Sequence, residues 1–417
     1  MGLGPSIKMT TLHHYNCPIT KRLINDDEID FCGIIINGVS DNYDVKLDTA
    51  VQSAKSATEL QIDGAIVAID GWGNHHVDFV NVIEQLEMHG ISIVGLSYIG
   101  QQGRLVCSSP YVSTIIDFNK SESGYESCIV GQNNVTEIDA YKAIEILKSK
   151  IKKKIHTNNT FANNIHIDKT ECLERRYYNI CDVKLCNEDS IENNIMKLNI
   201  TSVEDIIKEA PEIADIRVGV INHREHYSFV NSNLDIEPIC CKYEGKIGSG
   251  ITNQLAGVTV MLTGIEEKTG YQPANIGSSE GILKQQMTFD QAGTPKSSDI
   301  ILHIDVILKE GEGRTAEGII AAHRCVDKIL YPIRKSLSQI PKEKTLKNEN
   351  YIHIRRKAKP KIALVKIVSA LGNMYDTALY PLQPASLDGS FLLREQDNLS
   401  VIMKPLECLD GAIHSLI

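Results

Sequence analysis

The stretch QIDGAIVAIDGWGNHHVDFVNVIEQLEMHGISIVG, residues 61–95, decides the fold. Residues 62–69 are a short apolar run, the pattern of a strand buried on both faces. Asp70-Gly71-Trp72-Gly73-Asn74-His75-His76 is a loop of turn-forming and polar residues. Over 77–89, Val77, Val80, Ile83, Leu86 and Met88 make a rough helical stripe. Gly90 ends that helix, and residues 91–96 read as the next buried strand. This is a strand–helix–strand unit. Its loop lies at the carboxyl end of the first strand, where open α/β sheets place ligands.

Composition sets limits around this unit. The chain of 417 residues is long enough for two or three domains and a large core. Hydrophobic residues make up 42% and charged residues 23%, ordinary for a globular protein. A net charge of -10 and a pI near 5.7 give no sign of a nucleic-acid or anionic-membrane partner. No apolar run reaches the ~18 residues of a membrane span, and residues 1–18 have no apolar secretory core, so a cytoplasmic location is expected. The 11 cysteines are scattered and include no CxxC, which points to buried free thiols rather than a zinc site.

Residues 31–39 (FCGIIINGV) read as the first buried strand, and 48–60 as a helix with Ala50, Val51, Ala54, Ala57 and Leu60 on one face. Short strands are expected within 111–118 and 127–130. Thr136 and Asp139 have the spacing of a helix cap and its reciprocal partner, opening a helix that runs into the basic end 148–154. The Asn- and Thr-rich residues 155–170 read as a linker. Beyond it come strands and glycine turns. Residues 177–185 alternate like an edge strand, and 315–337 form an amphipathic helix. Residues 342–361 form a charged, exposed crossing segment, 361–368 another buried strand, and 406–416 a short terminal helix. The expected class is α/β. A doubly wound, mostly parallel sheet domain (1–154) is followed by a linker (155–175) and a strand-rich α+β domain (176–417).

Asp70, Trp72, Gly73, Asn74, His75 and Asp78 are the candidate ligand-binding residues. Trp72 could pack on an apolar ring while Asp70, Asn74 or His75 orient polar atoms. The other reading is a rigid loop in which Asn74 or Asp70 caps the following helix. His75, His76 and Asp78 lack the i, i+4 spacing of a helical metal site, so no metal is expected. Gly277-Ser278-Ser279-Glu280 is either an anion-binding turn or a plain tight turn. GKIGSG at 245–250 lacks the ending of a phosphate loop and reads as a turn. His13, His14 and His323 read as packing or solvated residues, and no catalytic residue can be named from spacing alone.

Longer segments resemble a known family. FCGIIINGVSDN (31–42), DGAIVAIDGWGNHHVDF (63–79), HGISIVGLSYIGQQG (89–103) and IIDFNKSESGYE (115–126) are similar to the α/β portion of the D-proline reductase proprotein family and its gene-cluster accessory proteins. DIEPICCKYEGKIGSGITNQLAGVTVMLTGIE (235–266), NIGSSEGIL (275–283), AAHRCVDKILYPIRK (321–335), KIALVKIVSALGNMYD (361–376) and PLECLDGAIHSL (405–416) are similar to its strand-rich portion. That portion is shared with component B of the glycine, sarcosine and betaine reductases. The resemblance covers roughly 1–150 and 176–417.

It implies reduction of D-proline, or of glycine derivatives, with dithiol or selenol electrons in the Stickland-type amino-acid fermentation of anaerobes. In the catalytic proprotein the strand-rich half comes first. Cleavage before a cysteine at the junction leaves a pyruvoyl group that accepts the substrate amine, and the selenocysteine lies on another subunit. Here the halves are in reversed order, as in a permutation at the cleavage junction. Gly2 stands where the family has that cysteine ahead of its Gly-Pro, so no pyruvoyl or other cofactor is expected. Ala370-Leu371-Gly372-Asn373-Met374 departs from the family's Gly-Gln-Gly-Ala-Met. The resemblance therefore implies an accessory or assembly subunit. Its partners would be the catalytic and selenocysteine-containing subunits of D-proline reductase, with self-association left open. The alternatives are a catalytic subunit that reduces D-proline to 5-aminovalerate and an amine- or proline-binding sensor.

Overall fold

A computed structural model describes residues 10–40, 42–69, 74–122, 129–156, 167–268, 280–368 and 400–414. Helices Thr11–Tyr15 (α1) and Pro18–Ile24 (α2) lead into strand Asp30–Gly38 (β1), helix Tyr43–Glu59 (α3), strand Gly64–Ile69 (β2), helix Asn74–Met88 (α4) and strand Ser92–Ser97 (β3). Strand Ile115–Asp117 (β4) and helix Glu137–His156 (α5) follow. Local chemistry fixes the helix ends. The Asn42 side chain accepts from Asp44 N at 2.9 Å and starts α3. Thr136 and Asp139 bond reciprocally at the head of α5, through Asp139 N to Thr136 Oγ1 (3.3 Å) and Thr136 N to Asp139 Oδ2 (2.9 Å), the expected capping pair. Gly90, at φ +79°, turns the chain after α4 as expected.

The second region continues with Ile167–Asn179 (β5), Asp182–Cys186 (β6), Ser190–Glu192 (β7), Ile195–Asn199 (β8), helix Val203–Lys208 (α6) and Ile213–Ile221 (β9). Phe229–Val230 (β10), Ser232–Glu237 (β11), Cys240–Glu244 (β12), Gly250–Ala256 (β13) and Val258–Glu266 (β14) come next. Gly281–Ile282 (β15), helix Leu283–Gln286 (α7), Ile300–Leu308 (β16), helix Ala316–Leu337 (α8) and Lys347–Arg356 (β17) follow. One sheet has the order β11-β14-β16-β9 and another β12-β13-β5-β17. The apolar stripe of α8 (Ile319, Ala322, Val326, Ile329, Leu330, Ile333) packs with Leu262, Leu302, Ile304 and Val306 in one core. A fully buried side chain of this size contributes ~1.5–3 kcal/mol.

The chain then returns to its beginning. Strands Lys361–Val368 (β18) and Val401–Met403 (β19) complete the first sheet, whose order is β19-β1-β18-β2-β3-β4. Every pairing from β1 to β4 is parallel; only β19 runs antiparallel, against β1. Helices α3 and α4 cover one face, with Ala50, Ala54, Phe79 and Ile83 against Ile35, Val67, Ile93 and Val365. Helices α2 and α5 cover the other, with Leu23, Ile144 and Leu147 against Ile34, Ile66, Val94 and Leu364. A Cβ on Gly95 would lie 2.6 Å from Phe79 Cζ, so the glycine lets α4 sit down on β3. The α/β class and the doubly wound, mostly parallel sheet are as expected.

Four expectations need correction. Residues 167–175, read as linker, belong to β5, which is interior because β13 and β17 bond to its two sides. Residues 177–185 are not one edge strand: β5 ends at Asn179 and β6 starts at Asp182. The charged stretch 342–361 contains β17, a sheet-edge strand whose exposed side tolerates charge. And β18, expected with the second region, lies between β1 and β2 of the first sheet, so it crosses the division expected at 155–175. An apolar run shows that a strand is buried, not which sheet it joins.

Candidate functional site

Of the residues singled out in the central loop, Asp70, Trp72 and Gly73 lie outside the described residues, and Asn74 begins α4. His75 and Asp78 are buried in the first turns of α4. Asp78 does not face an open loop. It takes the Lys46 ammonium of α3 at 2.5 Å, with both side chains about 3% exposed or less. His76 is buried as well, and burial lowers its pKa to about 4. Gly277, Ser278 and Ser279 lie outside the described residues; Glu280 is half-buried just before β15. The GKIGSG turn joins β12 to β13, with Gly245, Gly248 and Gly250 all at positive φ. Its Gly248 N is taken by Asp410 Oδ2 at 2.8 Å, which supports the plain-turn reading. Among the described residues, no group of three or more His, Cys, Asp or Glu could hold a metal ion.

The most unusual chemistry lies on the other face of the first sheet. Lys366 stands on β18, opposite Ile36 of β1 and Ala68 of β2, near the carboxyl ends of these strands. It is 2% exposed in an otherwise apolar layer. Its Nζ donates to Cys408 Sγ at 3.5 Å and lies 3.3 Å from His14 Nδ1. Thr20 Oγ1 is 3.8 Å from Cys408 Sγ, and Cys408 Sγ donates to His14 O at 3.2 Å. Cys17 caps the start of α2, and Cys408 ends the short helix Pro405–Cys408.

Three buried anchors hold these elements in place. Arg175 of β5 donates to Tyr15 O at 3.3 Å and Leu409 O at 3.1 Å, so one guanidinium grips the ends of both α1 and the 405–408 helix. It stacks on the Tyr15 ring at 4.0 Å and pairs with Glu349 at 2.5 Å. Asp410 accepts from Lys242 (2.7 Å), Thr252 (2.7 Å) and Gly248 N (2.8 Å), fixing the chain after Cys408 to the β12–β13 hairpin. At the other end of α1, Thr11 gives Asp235 two bonds, from N at 2.8 Å and Oγ1 at 2.5 Å. The strand-rich region thus positions two sulfurs against a lysine of the α/β sheet.

Burial raises the cost of an ionised thiol, but the Cys408 hydrogen bond and the Lys366 ammonium outweigh it and pull Cys17 well below its ordinary value. Cys408 moves the other way, because the neighbouring Cys17 sulfur and burial both favour its thiol form, whose S–H donates to His14 O at 3.2 Å. Burial disfavours the Lys366 ammonium, yet the two sulfurs hold it protonated. Burial takes His13 down to about 4, so it is neutral at physiological pH. The arrangement sets a fixed cation in a pocket that holds two sulfurs. A protonated lysine cannot attack a carbonyl; it works here as a charge beside sulfur. Sequence reading placed Lys366 in a buried strand but drew nothing from it. The signal was the second lysine of KIALVKIV, set in the middle of an apolar run.

Residues 3–115 match the family of glycine/sarcosine/betaine reductase component B subunits. The chain is 31% identical over 245 residues to the D-proline reductase proprotein PrdA of Acetoanaerobium sticklandii, a match covering 58% of this chain and 39% of that one. It is 36% identical over 94 residues to the betaine reductase complex component B subunit alpha of Peptoclostridium acidaminophilum, covering 22% and 21%. The chain is a relative of these reductase proteins. It spans less than half the length of the curated relatives it matches. No solved structure matches it. Among the described residues, no helix is long and apolar enough to cross a membrane.

Proposed function

We propose that this chain is a subunit of a D-proline- or glycine-type reductase complex and acts there as an accessory or assembly partner with no pyruvoyl centre of its own. The observation that carries this is Gly2, in the place of the cysteine from which the family's pyruvoyl group is made. A pyruvoyl group keeps the Cβ of the residue it replaces, after loss of the side-chain heteroatom. Glycine has neither atom. The expected partners are the catalytic and selenocysteine-containing subunits of D-proline reductase.

The test is the intact mass of the purified chain before and after an arylhydrazine, which traps carbonyls, together with co-purification with the catalytic subunits. An unchanged mass and a stable complex are expected. A cleaved or hydrazone-bearing chain overturns the absence of an electrophile, and failure to bind the catalytic subunits overturns the accessory role. The buried Cys17–Lys366–Cys408 group favours a second reading, a subunit that takes part in the electron transfer itself. D-proline turnover by the chain with a dithiol would replace the first reading with this one.

A further inference from the structure

We infer that the crevice between the start of α4 and residues 104–115 is a binding site for a small organic anion, a carboxylate on a short apolar body. The crevice holds about 320 Å³, at the small end of ligand sites. Its polar lining is His76, Arg104, Cys107, Ser108 and Ser109. Val80, Val112 and Ile115 make an apolar wall that continues into the core between the sheet and helices α3 and α4.

Two polar groups in this lining are left for a ligand. His76 is 1% exposed, and its buried Nδ1 has no hydrogen-bond partner among the described residues. Leaving a buried ring nitrogen unpaired is costly, which calls for a partner from outside. The ring is held firmly: it tilts against Phe79 with centroids 5.3 Å apart, and a Cβ on Gly103 would collide with it, so the glycine makes its seat. Burial keeps this imidazole neutral at physiological pH, with a pKa of about 4, so it presents one N–H donor. Arg104 stands exposed at the rim and has no ion pair or hydrogen bond among the described residues, so its charge is available. The Ser109 hydroxyl oxygen accepts from Tyr111 N at 3.3 Å, which leaves its O–H to donate. These donors sit by the positive end of a 15-residue helix, whose field also favours an anion.

The lining also sets what the ligand lacks. Among the described residues no carboxylate lines the crevice, so the ammonium group of an amino acid would meet no counter-charge there. Glu84 is near enough to push the Cys107 thiol up but does not line the crevice. One imidazole and one thiol fall short of a metal-ligand set. A bare inorganic ion would leave the apolar wall uncovered. The site stands on these residues and does not depend on the reductase reading above.

Cys107 is a half-buried wall of the crevice, so its alkylation reports occupancy, and the exposed Cys172 and Cys181 are internal controls. The full chain is treated with iodoacetamide in the presence of isovalerate, valine, isoamyl alcohol or inorganic phosphate, and each cysteine is followed by peptide mass spectrometry. Isovalerate should slow Cys107 and leave Cys172 and Cys181 unchanged. Valine and isoamyl alcohol should need roughly tenfold higher concentration or more, the worth of one charged hydrogen bond. Arg104→Met should weaken isovalerate by about tenfold on the same grounds, with Arg104→Lys keeping part of the affinity. His76→Leu should weaken it with Arg104 in place, and calorimetric titration of Cys107→Ser should give the same order of ligands. Isovalerate that protects Cys107 no better than Cys172 would overturn the inference. Equal protection by the alcohol or by valine, or protection by phosphate alone, would overturn it too. The test needs no reductase partner, so its failure is separate from failure to bind the catalytic subunits.

Discussion

Two buried lysines lie on opposite sides of the first sheet, Lys46 of α3 and Lys366 of β18, and their counter-charges differ. On the side of α3 and α4, Lys46 meets the Asp78 carboxylate at 2.5 Å. On the side of α2 and α5, Lys366 meets Cys17 and Cys408. Both lysines are 2% exposed. A carboxylate has no redox chemistry under mild conditions, so the first pair can fix α3 against α4 and do little else. A thiolate is a weaker acid's anion and an oxidisable atom, so the second pair has a charge state that proton and electron supply can change. The difference locates chemistry where the burial alone does not.

The largest expected effect breaks the first pair. Asp78→Ala leaves the Lys46 ammonium buried and uncompensated, at a cost of ~3–5 kcal/mol in unfolding free energy measured by denaturant titration. The loss should be the same in reduced and oxidised protein. Cys17→Ser replaces a sulfur by a hydroxyl that still accepts from Lys366, so roughly 1–3 kcal/mol is expected. A cost for Cys17→Ser as large as that of Asp78→Ala would make the sulfur group a structural ion pair like the first.

Acid offers a second way to sharpen the contrast. His13, next to the sulfur group, and His76, in α4's first turn, both have folded pKa values of about 4. The unfolded chain takes up protons at these histidines below ~6.5, while the folded chain refuses them until about 4. Stability should therefore fall as pH drops from ~6.5 to ~4 and level off below, on the order of 3 kcal/mol per histidine at most. His13→Gln and His76→Gln should each flatten part of that slope. Cys17 acts in another window. Its depressed folded pKa adds stability that is fully present above the ordinary thiol value of ~8.5 and is lost as pH falls through the folded value. Cys17→Ser should remove that component and leave the acid component in place.

The strand–helix–strand unit at 61–95 was legible because its periods are local, and its glycine and capping signals are set within one or two turns. The return of β18 to the first sheet was not legible, since KIALVKIV carries no mark of its partners. The ligand residues at Asp70, Trp72 and Gly73 were chosen for their position in the fold, and they lie outside the described residues. Asp78 was chosen for its carboxylate, and that carboxylate is committed to Lys46. The sulfur group escaped because it is assembled from three distant segments, and two of its members are cysteines without a spacing motif. The one local clue was Lys366 itself. A lysine in a run that reads as buried on both faces requires a counter-charge, and the available ones could have been sought among the cysteines and histidines.

The smallest expected effect separates helix loss from ion-pair loss. Asn42 caps α3 through bonds to Asp44 N and Val45 N, and its own carbonyl accepts from Lys46 N at 3.1 Å, so the cap and the lysine share the first turn. Asn42→Ala should cost ~1 kcal/mol, the ordinary value for a lost cap. If the cost of Asp78→Ala came only from loosening α3, the two variants would be equally damaging; the charge argument requires the carboxylate variant to be several-fold worse. Because α3 lies on the face away from Cys17, Asn42→Ala should also leave the rate of Cys17 alkylation unchanged. A change in that rate would mean that the two faces of the sheet are coupled, and that the two lysines cannot be treated as independent sites.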